Sequence, residues 1–198
     1  MRVGKGLDTR RSIIDQALRL ASTQGLRQVS IGLLAGAAGM SKSGLFAHFR
    51  SKEQLQLAVL REASDRFIAT VLAPALREAR GEPRLRRFFD GWLRWETTEF
   101  PGGCPFQAAS DELDDQPGPV RDYLVETQRD LFDSMTTLAR VGVEAGKLRA
   151  DLDPRQFAFE MAGILFAFHH THRLLRAEDA EKQTRLAFEA LLVRSRAR

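Results

Sequence analysis

An all-α fold is the class that the sequence predicts, and three observations lead to it. Apolar residues recur at helical spacing in most segments; Ile13, Ala17 and Leu20, for example, share one helix face. Alternation of apolar and polar residues, which is typical of strands, is scarce along the chain. Glycine, proline and short polar side chains stand between the periodic segments, where helices begin and end. We therefore expect about nine helices.

The first four predicted helices are bounded by recognisable residues. A side-chain oxygen at the start of a helix accepts a hydrogen bond from a free backbone N–H group, and glycine is favoured just past the end. The third helix is expected to run from Lys42 to Phe49, and the fourth through Val71 until Pro74 breaks it or starts another. The residues predicted to begin or end these helices are Asp8 or Thr9, Gly25, Ser30, Gly39, Ser41 and Ser51.

Further helices follow in the rest of the chain and are separated by loops rich in glycine and proline. Two such loops are expected at 101–105 and 114–119, with a short helix between them. The remaining helices are predicted over Leu85 to Phe100, Val120 to about Gly146, Asp153 to about Arg176, and Ala180 to Arg194.

Composition excludes several classes of protein. The 198 residues are 43% hydrophobic and 28% charged, which is ordinary for a globular protein and argues against disorder. No apolar run approaches the roughly 18 residues of a membrane-spanning helix, and the first residues do not resemble a secretory signal. Because Cys104 is the one cysteine, no disulfide can form within the chain, and this fits a reducing cytosol. We therefore expect a cytoplasmic protein without a membrane partner.

Positive charge is concentrated at the N-terminal end. The whole chain carries a formal net charge of +4, whereas residues 1–55 contain nine basic and three acidic residues and so carry +6. The remaining residues must then carry −2. A basic segment attached to a slightly acidic body favours an anionic partner for that segment alone.

The stretch from Ser30 to Phe49 predicts a helix-turn-helix. Two helices of about two turns each are joined by a tight turn at Gly39, and in such an arrangement the second helix lies in the major groove of DNA. Small residues, Ala35 and Ala38, allow the two helices to approach closely. We expect a hydrophobic seam formed by Leu34, Met40, Leu45 and Phe49.

The residues predicted to contact double-stranded DNA fall into two groups. On the exposed face of the second helix, short side chains permit close approach to base edges, and Lys42 can donate to guanine O6 or N7. Ser30, at a helix N-terminus, and Lys52, in the first turn of the fourth helix, are expected to meet phosphates, which orient the protein without specifying sequence. The predicted DNA-binding residues are Ser30, Ser41, Lys42, Ser43, Gly44, Phe46, His48 and Lys52.

Motifs at fixed spacings identify a known pattern. They are Leu34-Ala35, Ala38-Gly39-Met40-Ser41, Gly44, Phe46-Ala47-His48-Phe49 and Ser51-Lys52-Glu53-Gln54-Leu55. Through them, the span from Thr9 to about Leu55 resembles the DNA-binding domain of the TetR/AcrR (tetracycline-repressor-like) family. One departure is Phe46, where relatives commonly carry a tyrosine whose hydroxyl meets a phosphate. Phe46 lacks that donor, and either packing or contact with a thymine methyl is open to it.

The resemblance implies two domains and a function. Residues 1–55 would form the DNA-binding domain, and residues 56–198 a domain for ligand binding and dimerisation. The implied function is that of a transcriptional repressor that a small inducer releases from a palindromic operator; an activator is the alternative. The last two helices would pair two subunits into a homodimer, which suits a palindrome. Apolar stripes on these helices are compatible with pairing, although packing within one subunit would also explain them. The stripes are predicted to consist of Phe157, Met161, Ile164, Leu165 and Phe168 on one helix and of Leu186, Leu191 and Val193, with Phe188 nearby, on the other. No cofactor and no metal is implied.

A small, apolar or aromatic inducer is expected because aromatic residues recur in the middle helices. Aromatic residues at helical spacing form either a core or a ligand site, and both interpretations stay open for each of them. The predicted ligand-binding residues are Phe67, Phe88, Trp92, Trp95, Cys104, Phe106, Phe132, Phe166 and His169.

Cys104 and the histidines allow further interpretations. A reactive thiol at Cys104, which follows two glycines, would make the protein responsive to oxidants or electrophiles; a buried small hydrophobe is the alternative. His169 and His172 share a helix face, but a zinc site needs three or four ligands, so a role in a pocket or an interface competes with metal binding. The sequence contains neither a nucleophile–base pair nor a glycine-rich phosphate loop, so no such motif indicates an enzyme.

Overall fold

Helices form the regular structure of the computed structural model, which describes residues 2–37 and 39–197. These residues contain ten α-helices, and their β-structure is limited to an isolated bridge between Leu148 and Arg196. The prediction of an all-α fold is therefore confirmed. The helices are α1 (Arg2–Gln24), α2 (Ile31–Ala37), α3 (Lys42–Phe46), α4 (Lys52–Phe67), α5 (Ala73–Arg77), α6 (Glu82–Arg94), α7 (Pro105–Leu113), α8 (Pro119–Glu144), α9 (Pro154–His169) and α10 (Ala180–Ser195).

Four shorter helical segments accompany the α-helices. A 3-10 turn, Leu26–Gln28, follows α1, and π-helical segments extend three of the helices: Ile68–Leu72 after α4, Trp95–Glu99 after α6 and His170–Leu174 after α9. The first π segment joins α4 to α5, so that the two form one continuous element. Pro74 lies in the first turn of α5, where its missing N–H group would have had no helical partner. None of the helices in the described ranges combines the length and the apolar character needed to cross a bilayer.

Side-chain caps mark three of the helix starts in the N-terminal region, as the sequence predicts. In each, a serine hydroxyl accepts a hydrogen bond from the backbone N–H group three residues later. The oxygen–nitrogen distances are 3.3 Å for Ser30 and Leu33, 3.1 Å for Ser41 and Gly44, and 3.1 Å for Ser51 and Gln54.

The first helix starts earlier than predicted. α1 begins at Arg2, so the expectation of an N-terminal cap at Asp8 or Thr9 is wrong. No proline interrupts this stretch, and each residue added to an existing helix gains a backbone hydrogen bond for the one residue that it orders. The side chain of Asp8, and Ala38 with its predicted role in helix packing, lie outside what the structure describes.

Two compact units make up the described chain. The first comprises the residues through Arg66 together with Thr98–Glu126, and the second comprises Phe67–Thr97 together with the residues from Thr127 onward. The first unit thus holds α1 to α4 and α7, and the second holds α5, α6, α9, α10 and most of α8. The predicted functional boundary between residues 55 and 56 stays a prediction, and α4 continues through that point.

In the first unit, the N-terminal helices share one apolar core. The guanidinium of Arg10 lies 5.1 Å from the centre of the Phe49 ring, a cation–π contact between α1 and the residues after α3. Arg66 of α4 pairs with Asp15 of α1 and with Glu62 one turn earlier. Side chains with no exposed surface form the centre of the core: Ala17, Leu18, Val29, Leu34, Leu45, Leu55 and Val59.

α7 and the loop before it belong to the first unit through a close approach to α1. The backbone N–H group of Gly102 donates to the hydroxyl of Ser22 at 3.2 Å. A Cβ atom on Gly102 would overlap the backbone carbonyl group of Ser22. Only glycine therefore allows the loop to lie at this distance from α1.

In the second unit, α6 is joined to α10 by an apolar contact and to Arg196, the residue directly after α10, by an ionic one. The rings of Phe89 and Phe188 stack with centroids 3.9 Å apart and planes 4° from parallel. Glu82, at the start of α6, accepts hydrogen bonds from Arg196 at 2.8 Å and from Arg86 at 2.8 Å. Hydrogen bonding to Arg196, and then to Arg86, lowers the pKa of Glu82 from 4.5 to about 2.

Candidate functional site

A helix-turn-helix forms between α2 and α3. Gly39 adopts a φ of 61°, in the left-handed region that glycine enters without strain. The N–H group of Met40 bonds back to the carbonyl of Ala35 at 2.9 Å, which closes the C-terminal end of α2. Met40 is half-buried, and the other residues of the predicted seam, Leu34, Leu45 and Phe49, are buried.

The second helix of this pair is shorter than predicted. α3 spans Lys42–Phe46, whereas the sequence indicated a helix to Phe49. The N–H group of His48 bonds to the carbonyl of Leu45, three residues back, at 3.0 Å, so the helix closes with a tighter turn. His48 is thereby placed beyond the end of α3 instead of within it.

The outward face of α3 exposes the side chains predicted to read DNA. Lys42 and Ser43 are exposed, and Phe46 is 52% exposed, which favours a contact with a thymine methyl over a role in the core. Cε of Lys42 lies 3.7 Å from the place that a Cβ atom of Gly32 would occupy, so the lysine side chain lies beside Gly32 of α2. His48 is half-buried.

The 3-10 turn after α1 is bound from three directions. Nζ of Lys52 donates to the carbonyl of Arg27 at 2.6 Å, and the buried amide of Gln56 donates to the carbonyl of Leu26 at 2.8 Å. Glu112 of α7 accepts a hydrogen bond from the N–H group of Arg27 at 2.9 Å. Lys52, a predicted phosphate contact, is thus held against the backbone, and its ammonium group has further N–H donors for a phosphate.

Seven of the nine predicted ligand-binding residues come together in the second unit. Phe67 packs edge-on against Trp92 and Trp95, with ring centroids 5.4 and 5.3 Å away. The contacts continue from Trp92 to Phe166 at 6.4 Å and from there to Phe132 at 6.5 Å. The aromatic cluster consists of Phe67, Phe88, Trp92, Trp95, Phe132 and Phe166, with His169 beside it.

A carboxyl group lies within the aromatic cluster. The side chain of Glu96 has no exposed surface; Oε2 lies 2.9 Å from Nδ1 of His169, and Oε1 accepts a weaker hydrogen bond from Nε1 of Trp92 at 3.4 Å. Sequence reasoning missed Glu96, although its place four residues after Trp92, on the same helix face, was a usable signal. In the part of the chain that the structure describes, no three metal-binding side chains lie together.

Cys104 and Phe106 belong to the first unit and not to the aromatic cluster. Both side chains are buried, Cys104 directly before α7 and Phe106 in its first turn. Burial favours the interpretation of Cys104 as a small hydrophobe over that of a reactive thiol, which needs access to its reagents. The role of these two residues in ligand binding stays a prediction.

α9 and α10 expose apolar side chains in addition to those that they bury. Leu186 and Val193 of α10 are 56% and 58% exposed. Between the two helices lies a groove of about 620 Å³, whose lining includes the small residues Gly163, Ala167 and Ala187. The other large residues of the predicted apolar stripes are buried within the protomer, apart from the half-buried Ile164: Phe157, Met161, Leu165, Phe168, Phe188 and Leu191.

Two protein-family models match this chain. Residues 13–59 match the one for bacterial regulatory proteins of the tetR family. Residues 81–188 match the one for the tetracyclin repressor-like C-terminal domain, and this match alone covers more than half of the chain.

Individual proteins are similar over different lengths. The HTH-type transcriptional regulator AcrR from Shigella flexneri is 44% identical over 48 residues, which are 24% of this chain and 22% of AcrR, so the chain spans less than a quarter of that relative. A TetR transcriptional regulator from Chloroflexus aurantiacus J-10-FL has the same fold, with a TM-score of 0.86, 24% identity and 100% of both chains covered. AibR, solved with isovaleryl coenzyme A and operator DNA, has a TM-score of 0.74 and 22% identity over 94% of this chain and 99% of AibR.

Proposed function

The chain belongs to the TetR family and is a DNA-binding transcriptional regulator, and from this premise we propose that it is a repressor released from a palindromic operator by a small ligand. A regulator of this kind must read DNA, pair its subunits and respond to the ligand. A DNA-binding regulator acts where the chromosome is, so we propose the bacterial cytoplasm as its location.

The exposed face of α3 is the observation that carries the proposal. Leu45 has no exposed surface and anchors the helix, so Lys42, Ser43 and Phe46 are directed away from the core together. A lysine, a hydroxyl and an apolar ring can meet guanine, mixed base edges and the thymine methyl group. The Ser41 cap holds the short helix in shape at its N-terminal end, where base contacts are usually made.

Pairing through α9 and α10 is the second part of the proposal. The exposed Leu186 and Val193 and the groove lined by small residues form an apolar surface. In a single subunit this surface is exposed to water, which is unfavourable. A second copy would bury this surface by helix-on-helix packing, and twofold symmetry would set two recognition helices against a palindrome.

Release by a ligand is the third part. Because DNA and ligand would favour different conformations of the dimer, each would weaken the binding of the other. The aromatic cluster of the second unit supports an aromatic or apolar ligand. AibR, which shares the fold, was solved with both a coenzyme A thioester and operator DNA, and this supports a ligand-binding role for the same architecture here.

In vitro selection of random duplex DNA tests the reading of DNA. We expect enrichment of a palindrome, binding that weakens steeply with salt, and repression when the site is placed across a promoter in a purified transcription reaction. Lys42→Ala should relax preference at one or two positions of each half-site, whereas Lys182→Ala, an exposed lysine of α10, should not. Binding without any preferred sequence would contradict the proposal, and activation from the selected site would favour the alternative of an activator.

A charged substitution tests the pairing. Leu186→Glu should convert the dimer to a monomer in light scattering, because the dimer would bury an unpaired carboxylate. Leu76→Glu, on a side chain of similar exposure in α5, is the matched control and should remain dimeric. A Leu186→Glu protein that stays dimeric would place the interface elsewhere.

A further inference from the structure

We propose that Glu96 recognises the ammonium or amidinium group of an aromatic ligand, which takes the place of His169 on the carboxyl group. This inference rests on the proposed ligand-responsive function and names the class of ligand for its aromatic site. It is carried by the chemistry of Glu96, by the backbone around it and by the exposure of its partner.

The chemistry comes from a carboxyl group placed among aromatic rings. Glu96 has no exposed side-chain surface, and its hydrogen-bond partners include His169 at 2.9 Å and Trp92 at 3.4 Å. Burial of an acid is costly unless a positive or hydrogen-donating group compensates it. A ligand that displaces His169 must therefore bring a donor of its own, and a cation compensates the carboxylate best.

The surrounding rings favour the same charge. Phe67, Trp92 and Trp95 pack edge-on, with centroids 5.3 to 5.4 Å apart from Phe67, and Trp92 also donates to Glu96. The faces of tryptophan and phenylalanine rings carry negative charge density and attract cations, most strongly where water is excluded. The buried carboxylate of Glu96 attracts an aromatic cation and repels an aromatic anion, and the rings around it provide contacts for the aromatic part of the ligand.

The backbone departs from regular helix in three of the elements that border this site. A π-helical segment begins directly after Phe67, another contains Trp95 and Glu96, and a third begins directly after His169. Such π segments are rare and occur frequently at functional sites, because the extra residue rotates side chains away from their regular positions. All three coincide with residues of the aromatic cluster or with the Glu96–His169 pair.

Access is available on one side of the site. The side chain of His169 is 25% exposed and Phe166 is 37% exposed, whereas Trp92 and Trp95 are buried. A ligand can therefore reach Glu96 by moving the imidazole outward, with its aromatic ring placed against the exposed part of Phe166. His169 then acts as the group that the ligand replaces.

The two tryptophans of the chain provide the test, because both belong to the site. The protein is titrated with phenethylammonium, 2-phenylethanol and phenylacetate, which share a ring and differ in charge, while tryptophan emission and calorimetric heat are recorded. We expect the ammonium compound to bind at least about tenfold more tightly than the alcohol, and the carboxylate compound to bind least. Absence of saturable binding by the ammonium compound, or equal affinity for the alcohol, would overturn the inference.

Substitutions then assign the preference to Glu96. Glu96→Gln should abolish the preference for the ammonium compound over the alcohol, and Glu99→Gln, the same change in the same π segment, should preserve it. His169→Gln should retain the preference, because the displaced group is not the charge that the ligand meets. If Glu96→Gln fails to fold, as thermal denaturation would reveal, Glu96→Asp serves instead and should keep the preference at reduced affinity. A preference that survives in Glu96→Gln would overturn the inference.

DNA selection separates this inference from the proposed function. If a palindrome is selected but the protein does not distinguish the three compounds, the ligand class is wrong and the repressor proposal stands. If the compounds are distinguished but no DNA sequence is selected, the cation site stands and the repressor proposal is wrong.

Discussion

The carboxylate of Glu112 accepts a hydrogen bond from the backbone N–H group of Arg27 at 2.9 Å, although 85 residues separate the two in sequence. A Cβ atom on Gly25, whose φ is 90°, would overlap the same carboxylate. α7 thus holds the turn that leads from α1 into α2, and the carbonyl groups of that turn are held by α4. The turn that leads into the helix-turn-helix is therefore bound by a residue far outside the motif.

Substitution of Glu112 should therefore loosen the turn before the helix-turn-helix without changing any residue of that motif. Glu112→Gln removes the charge from the hydrogen bond, and we expect a loss of about 1 kcal/mol in the free energy of unfolding. Hydrogen exchange should accelerate at the amide of Arg27, and affinity for the selected DNA should fall about threefold. Asp111→Asn, on the neighbouring exposed residue of α7, is the control. Unchanged exchange at Arg27 in Glu112→Gln would show that the contact contributes nothing.

The two serines at the start of α3 should have separable effects. Ser41→Ala removes the hydroxyl that accepts from the N–H group of Gly44, so the free energy of unfolding should fall by about 1 kcal/mol. Ser43→Ala removes only the exposed hydrogen bond between the Ser41 and Ser43 hydroxyls at 3.1 Å and keeps the cap, so it should change stability by less than about 0.5 kcal/mol while altering DNA preference. Urea denaturation measures the first effect and DNA selection the second. Equal loss of stability in both variants would argue against the assignment of the cap.

Gly102 should tolerate no larger residue. Gly102→Ala brings a methyl group into the backbone of Ser22, and relief requires the loop before α7 to shift, at a cost of about 3 kcal/mol. Gly36→Ala is the control, because a Cβ atom there meets no neighbour within 4 Å and alanine favours helix. The control should be as stable as the parent protein or more stable by up to about 1 kcal/mol in urea denaturation. A Gly102→Ala protein of parental stability would be incompatible with the close approach.

Acid should weaken the contact between α6 and the C-terminal end. The folded-state pKa of Glu82 is lowered from 4.5 to about 2 by hydrogen bonds from Arg196 and Arg86, so its stabilisation is present above pH 4.5 and is lost as the pH falls toward 2. Glu82→Gln should cost about 1 kcal/mol at neutral pH, after allowance for solvent screening, and much less near pH 2.

Urea midpoints across this pH range measure the difference between the Glu82→Gln variant and the parent protein. Glu144→Gln is the control, because it interrupts the Arg140–Glu144 pair, whose two side chains are 51% and 53% exposed. It should change stability by only about a few tenths of a kcal/mol at every pH. A difference for Glu82→Gln that does not depend on pH would falsify the role of its ionised carboxylate.

The N-terminal motif was predictable because its signals are local. Ser30, Ser41 and Ser51 cap helices through N–H groups three residues away, and Gly39 turns the chain at the place where a positive φ is needed. The aromatic cluster was predictable in part, since residues at helical spacing on one element meet the same neighbours. The start of α1 was predicted wrongly because a local signal was not decisive there. A residue that can cap a helix does not stop a helix that can continue through it.

By itself, the sequence determined the all-α class, the helix-turn-helix and the residues that α3 exposes, because periodicity, caps and turns act over a few residues. Only the tertiary structure decided that Glu96 meets His169 across 73 residues and that Glu112 holds the turn at Arg27. It also assigned Cys104 and Phe106 to the first unit and the other predicted ligand residues to the second. Such pairings depend on how helices pack, and no spacing along a single helix specifies which distant residue will face it.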